Sequence, residues 1–120
     1  MRALDKARLC LRLIMERKAI DPLLLEVEEL TSITDYFVIA SGNSSRQVQA
    51  ISGHVQKKMR DVGFRTDGVE GVQEGHWVLL DYGDVVIHLF YQPVREFYDL
   101  EGLWIDAPRI SIEDEEIVGA

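Results

Sequence analysis

The fold is decided by the stretch YFVIASGNSS at residues 36–45. Residues 36–40 form a continuous apolar run, partly β-branched, which is typical of a strand covered on both faces. Residues 42–45 follow at once as a tight turn, in which Asn43 or Ser44 is available as the N-cap of a helix. The stretch therefore predicts a buried strand that runs directly into a helix.

The segment after this turn has the periodicity of an amphipathic helix. Its apolar residues lie at helical spacing on one face, at Val48, Ile51, Val55, Met59 and Val62. The basic residues of the same segment mostly fall on the opposite face. The pattern predicts a helix with one face against the sheet and one face toward solvent.

Two further strands are predicted downstream, at residues 76–81 and 85–90. The turn between them, at residues 82–84, contains a glycine, so the two strands are expected to form a hairpin. Pro93 then opens a short helix at a position where proline is tolerated, and that helix is predicted to run from Val94 to about Leu103.

Upstream of the central stretch, the pattern predicts an amphipathic helix at residues 2–18, ended by Asp21-Pro22, and a strand at residues 23–27. A short strand is also expected within residues 64–71. The resulting order of helices and strands predicts an α/β fold, a single-domain mixed sheet flanked by helices. The domain is expected to span residues 1–106, with an acidic C-terminal tail at 107–120.

Charge is unevenly distributed along the 120 residues, whose formal net charge is −8. Residues 1–65 contain 11 basic and 8 acidic residues, for a net +3, whereas residues 66–120 contain 2 and 13, for a net −11. The acidic half is poorly suited to binding phosphate and better suited to a basic protein, so no direct sequence-specific binding of nucleic acid is expected.

A single cysteine and the lack of a signal peptide or a long apolar run predict a cytoplasmic protein with no membrane segment.

Catalytic and metal-binding patterns are weak in this sequence. The turn at residues 41–45 resembles a phosphate-binding turn at a helix start, but it lacks the full glycine patterns, and a structural turn is the simpler interpretation. A nucleotide-using transferase is the alternative function, yet no closely spaced carboxylate pair follows the turn, and Asp81 and Asp84 need not converge on one ion. The three histidines have no metal-binding spacing. No cofactor, metal or enzymatic activity is predicted.

Aromatic residues crowd into residues 77–104, where they are mixed with charged side chains. Several belong to the core, but aromatics and arginine also dominate protein–protein hot spots. The segment is therefore compatible with either a core or an interface.

Three blocks of sequence, at residues 35–48, 77–88 and 95–104, resemble the Iojap/RsfS family of ribosomal silencing factors. The resemblance runs from about residue 3 to residue 106. It implies a nucleotidyltransferase-like core without catalytic carboxylates, and a translational repressor that binds the large ribosomal subunit through ribosomal protein uL-fourteen. The implied mechanism is steric, since the bound factor keeps the small subunit off. Plastid and mitochondrial relatives imply a link to large-subunit assembly, and the free protein is expected to be a homodimer.

The resemblance also implies that the second and third blocks carry the partner-binding face. The hairpin residues carried over are Trp77, Asp81, Tyr82, Gly83, Asp84, Val86 and His88. Those of the last helix are Arg95, Tyr98, Asp99, Leu103 and Trp104. By residue type, Trp77, Tyr98 and Trp104 are expected to be apolar anchors. Asp81, Asp84 and Asp99 are expected to meet lysine or arginine side chains of the partner, and Gly83 to allow close approach of the backbone.

Overall fold

The computed structural model describes residues 1–112, which contain four helices and six strands. The helices are α1 (Ala3–Glu16), α2 (Ser45–Asp61), α3 (Gln92–Tyr98) and α4 (Leu100–Leu103). The strands are β1 (Ile20–Glu26), β2 (Tyr36–Gly42), β3 (Gly68–Glu70), β4 (Trp77–Asp81), β5 (Val85–Tyr91) and β6 (Arg109–Ile110). None of the helices in this part of the chain has the length and apolar character needed to cross a membrane.

The strands form one sheet in the order β3-β4-β5-β2-β1-β6. The central pair, β2 and β5, is parallel and in register from Tyr36 opposite Val85 to Gly42 opposite Tyr91. The neighbouring pairs are antiparallel, including the β4–β5 hairpin. The predicted mixed sheet with flanking helices is therefore confirmed, and its centre is the stretch at residues 36–45.

The helices α1 and α2 cover one face of the sheet. Every residue of β2 is buried, and its side chains alternate between the two faces, with Val38 toward the helices and Phe37 toward the opposite side. Cys10 is a fully buried residue of α1, and burial raises the pKa of its thiol to about 12, so it behaves as a small apolar side chain. The main core is thus a helix–sheet layer.

The second face of the sheet, which we call the aromatic face, is covered in part by α3 and α4. Its buried apolar residues are Leu25, Val27, Phe37, Ile39, Val86, Phe90, Leu100 and Ala107. Trp77, Leu79, Val94 and Trp104 pack against them while remaining partly exposed. The hairpin end of this face therefore stays open to solvent.

The last helix differs from the prediction because it is interrupted at Asp99. This residue ends α3 in the left-handed conformation, with φ 47°, and α4 begins at the next residue. Aspartate adopts this conformation more readily than most residues, and it is held there by the bond from its N–H to the Arg95 carbonyl, at 2.8 Å. The break turns α4 back onto the aromatic face.

The structure also differs from the expected tail at its first residues. Ala107 is buried, the Glu26 N–H donates to the Pro108 carbonyl at 2.9 Å, and β6 pairs with β1. A two-residue edge strand next to a proline has no signature in the sequence, which is why the boundary was expected at residue 106. The remainder of the predicted tail, residues 113–120, lies outside the described residues.

Candidate functional site

A row of aromatic rings runs across the aromatic face from α3 to α4. The ring of Trp77 lies 5.0 Å from Tyr98 and 4.9 Å from Phe90, measured between centroids. The ring of Phe37 meets Trp104 edge-on at 5.1 Å. Aromatic pairs at these separations add stabilisation beyond the area they bury. The rings thus bind the two short helices to the sheet.

His88 lies at the centre of this row and is buried. Its Nδ1 accepts a hydrogen bond from the Trp77 Nε1 at 3.1 Å, and its ring meets Phe37 edge-on at 4.9 Å. Burial lowers the pKa of His88 to about 4, so the ring is neutral at physiological pH. His88 therefore positions Trp77 and is not available for direct contact with a partner.

The exposed part of the site surrounds this row. Tyr98 is 52% exposed and Leu103 77% exposed, although both are large apolar or aromatic side chains. A shallow groove of about 280 Å³ is lined by Glu70, Trp77 and Leu79, and the Trp77 ring contacts Tyr98. Exposed apolar surface concentrated in this way marks interaction sites more often than scattered single residues do.

Several exposed residues of this surface were not predicted from the sequence. Leu79 lies on the same face as Trp77 because side chains of a strand alternate, and this spacing was a usable signal. Phe97 and Ile105 are 82% and 69% exposed on and after the last helices. Large apolar side chains are usually buried, so their residue type did not reveal this exposure.

The predicted site residues fall into three groups. Partly or fully exposed on the aromatic face and its helices are Trp77, Asp81, Tyr98, Asp99, Leu103 and Trp104. Buried within the fold, with at most 8% of each residue exposed, are Tyr82, Val86, His88 and Arg95. The remaining two, Gly83 and Asp84, lie in the hairpin turn. The structure thus brings together about half of the predicted contact set.

The hairpin turn is tied to α1 on the other side of the sheet. The Lys6 Nζ donates to the Asp84 Oδ1 at 2.8 Å and to the Tyr82 carbonyl at 2.7 Å. Gly83 has φ 84°, and its N–H donates to the Asp81 Oδ1 at 2.8 Å. The turn therefore needs this glycine for its own geometry. The expected ion pair between Asp84 and a basic side chain of the partner would therefore have to replace or share the bond between Asp84 and Lys6.

Arg95 attaches α3 to the end of the sheet. Its guanidinium donates to the Ser41 Oγ at 2.9 Å and to the Ile20 carbonyl at 3.3 Å, and it pairs with Glu101 at 3.3 Å. It is 8% exposed. The expectation that Arg95 contacts the partner is thus not met by this geometry, which gives it a supporting role.

Replacing Arg95 tests this supporting role. Arg95→Met keeps the apolar stem but leaves Ser41 and Glu101 without their donor, and we expect the free energy of unfolding to fall by about 2–3 kcal/mol. Urea unfolding followed by circular dichroism measures this change. Arg46→Met, on the exposed surface of α2, is the matched control and should change the value by less than about 0.5 kcal/mol.

The turn at residues 41–45 is used for local structure. The Ser44 Oγ accepts the Gln47 N–H at 3.1 Å as the N-cap of α2, and the Asn43 N–H donates to the Gln47 side chain at 2.6 Å. A Cβ at Gly42 would lie 3.0 Å from a methyl carbon of Val48, so the glycine permits close packing of strand and helix.

Within residues 1–112, no group of three or more His, Cys, Asp or Glu side chains is arranged so that it could hold a metal ion.

Comparison with known proteins decides the family. The model of the family described as ribosomal silencing factor during starvation, RsfS, matches residues 1–119. The chain belongs to the RsfS family. The ribosomal silencing factor RsfS of Bacillus subtilis is 41% identical over 98 residues, which cover 82% of this chain and 83% of that protein.

Solved structures and more distant members agree with this membership. A crystal structure of a Chromobacterium violaceum protein superposes with a TM-score of 0.84 at 38% identity, and covers 87% of both chains. The mouse protein named mitochondrial assembly of ribosomal large subunit protein 1 is 36% identical over 95 residues, or 77% of this chain and 42% of that protein. The RsfS fold and the predicted resemblance are thereby confirmed.

Proposed function

We propose that this RsfS family member silences translation by binding the large ribosomal subunit and keeping the small subunit from joining it. Membership in the family carries the proposal, because the bacterial relatives are named ribosomal silencing factors. The mouse relative's name points to the large subunit in particular. The mechanism is occlusion: a factor bound where the small subunit docks blocks joining without any chemical step, so the chain need not be an enzyme.

The aromatic face is the surface we propose for contact with the large-subunit protein uL-fourteen. Trp77, Tyr98 and Trp104 are partly or largely exposed and are held by neighbouring rings, so they present apolar area with little loss of side-chain entropy on binding. Asp81 and Asp99, also solvent-accessible, would meet lysine or arginine side chains of the partner.

Three of the four buried members of the predicted set support this surface from beneath. His88 accepts the Trp77 indole N–H, and Arg95 fixes the helix that carries Tyr98. Val86 lies opposite Asp81 in the hairpin and fills the core below the face. A substitution at any of these three would therefore act on binding through the position of an exposed neighbour.

Two further properties belong to the same proposal. The factor would act in the cytoplasm, because this compartment contains ribosomes and keeps free thiols such as Cys10 reduced. The free chain would form a homodimer, for which the exposed apolar side chains of Phe97, Leu103 and Ile105 offer surface. Sedimentation velocity of the purified chain across micromolar concentrations measures this association.

Co-sedimentation with isolated large subunits tests the function. We expect the purified chain to pellet with large subunits, and to lower the yield of joined ribosomes when small subunits are then added. Addition of the chain to small subunits alone is the control and should leave it in the supernatant. If it stays in the supernatant with large subunits at micromolar concentration, the silencing proposal fails.

A further inference from the structure

A pocket of about 390 Å³ lies beside the C-terminal half of α2, away from the aromatic face. It is lined by Gln56, Arg60, Phe64, Arg65, Thr66 and Tyr82. Phe64 packs against the core that α1 and α2 share with the sheet, and the Lys6 ammonium lies 4.9 Å from the centre of its ring. The pocket therefore opens on the helical side of the molecule.

The lining of this pocket is positively charged in an otherwise acidic protein. The chain has a net charge of −8, yet no carboxylate is among the lining residues. Arg60 and Arg65 are exposed, and neither forms an ion pair with any side chain of residues 1–112. By contrast, the cavity beside Arg95 is lined by four carboxylates as well. The two free guanidiniums make this pocket a local site for an anion.

Tyr82 contributes a second, independent observation at the inner wall. The residue is 3% exposed, and its hydroxyl has no hydrogen-bond partner within the described part of the chain. Burial raises the pKa of Tyr82 to about 12, so the hydroxyl keeps its proton at physiological pH and can act as a donor. Buried hydroxyls without partners are rare in folded proteins, because leaving one unsatisfied costs free energy.

We propose that this pocket binds a phosphate group, held by the guanidiniums of Arg60 and Arg65 with the Tyr82 and Thr66 hydroxyls as further donors. This pocket suits phosphate better than carboxylate. Four side chains can donate, and a phosphate group offers three or more acceptor oxygens whereas a carboxylate offers two. Free phosphorylated small molecules and the exposed backbone of RNA share this chemistry. The proposal does not depend on ribosome silencing, and its test uses the isolated full chain.

Titration followed by two-dimensional amide NMR tests the pocket, with inorganic phosphate and a single-stranded RNA decamer as separate probes. We expect saturable shifts of the Arg65 and Thr66 amide resonances. Arg60→Gln and Arg65→Gln should each weaken binding about tenfold or more. Arg46→Gln, at the other end of α2, makes the same change of charge and should stay within about twofold of the original chain.

The outcomes separate the sources of phosphate and define failure. Tighter binding of the decamer than of phosphate identifies an RNA backbone, and binding of phosphate alone identifies a small molecule. Tyr82→Phe should weaken binding several-fold without lowering the Tm, since the hydroxyl makes no bond in the free chain. The proposal is overturned by unsaturable shifts with both probes, by an equal loss in Arg46→Gln, or by unchanged affinity in Tyr82→Phe.

Discussion

Trp77→Ala is expected to weaken binding to large ribosomal subunits by about 2 kcal/mol or more, which corresponds to a roughly 30-fold rise in Kd. The indole is partly exposed beside the apolar groove, and it contacts Tyr98 on one side and Phe90 on the other. Its loss removes an anchor and also leaves the His88 Nδ1 without its donor. The effect therefore combines lost contact area with a loosened face.

Co-sedimentation over a range of large-subunit concentrations measures this loss. Leu9→Ala is the control, because it removes a half-buried apolar side chain that packs on the opposite side of the sheet. It should bind as the original chain does. Trp77→Phe keeps an aromatic ring but is smaller and lacks the N–H donor, so it should recover part of the affinity. If folded Trp77→Ala binds large subunits normally, the aromatic face is not the docking surface.

Gly71→Ala is expected to destabilise the domain by about 3 kcal/mol or more. Gly71 has φ 82°, and a Cβ built there would overlap the carbonyl oxygen of Trp77. The neighbouring atoms belong to the backbone, so no side-chain rotation relieves the overlap. The start of β4 would have to shift, and the Trp77 side chain would move with it.

Urea unfolding compares this variant with Gly68→Ala in the adjacent strand β3. A Cβ at Gly68 has no neighbouring atom within 4 Å, so its replacement should change the free energy of unfolding by less than about 1 kcal/mol. An equally small change in Gly71→Ala would contradict the backbone geometry at residues 71–77. Because the overlap involves Trp77 itself, any Gly71→Ala protein that folds should also bind large subunits more weakly.

Secondary structure near the centre of the sheet was predictable from local pattern. Residues 36–40 are apolar without interruption, and they became the strand that is buried on both faces. The Ser44 cap and the apolar face of α2 also followed from residue type and spacing. The break at Asp99 and the two-residue strand β6 did not. Aspartate is also compatible with a continuous helix, so its left-handed conformation was not evident from residue type, and β6 depends on pairing with the distant strand β1.

The sequence segment that contains the candidate site was predictable, but the side chains that it exposes were not. The family resemblance implied that Tyr82, His88 and Arg95 could meet a partner. In the fold all three are buried, and they respectively line a pocket behind the sheet, hold Trp77 and attach α3. Aromatic residues occur in both cores and interfaces, so residue type alone does not show which aromatic side chains are exposed.

By itself, the sequence determined the class of fold, the central strand and turn, and the family, because these depend on periodicity and on residue identities along the chain. Tertiary structure alone decided which aromatics face solvent. It also decided that Lys6 holds the hairpin turn, and that Arg60, Arg65 and Tyr82 share one pocket. The physical reason is that exposure and charge pairing depend on neighbours brought together from distant positions, and no local pattern encodes those neighbours.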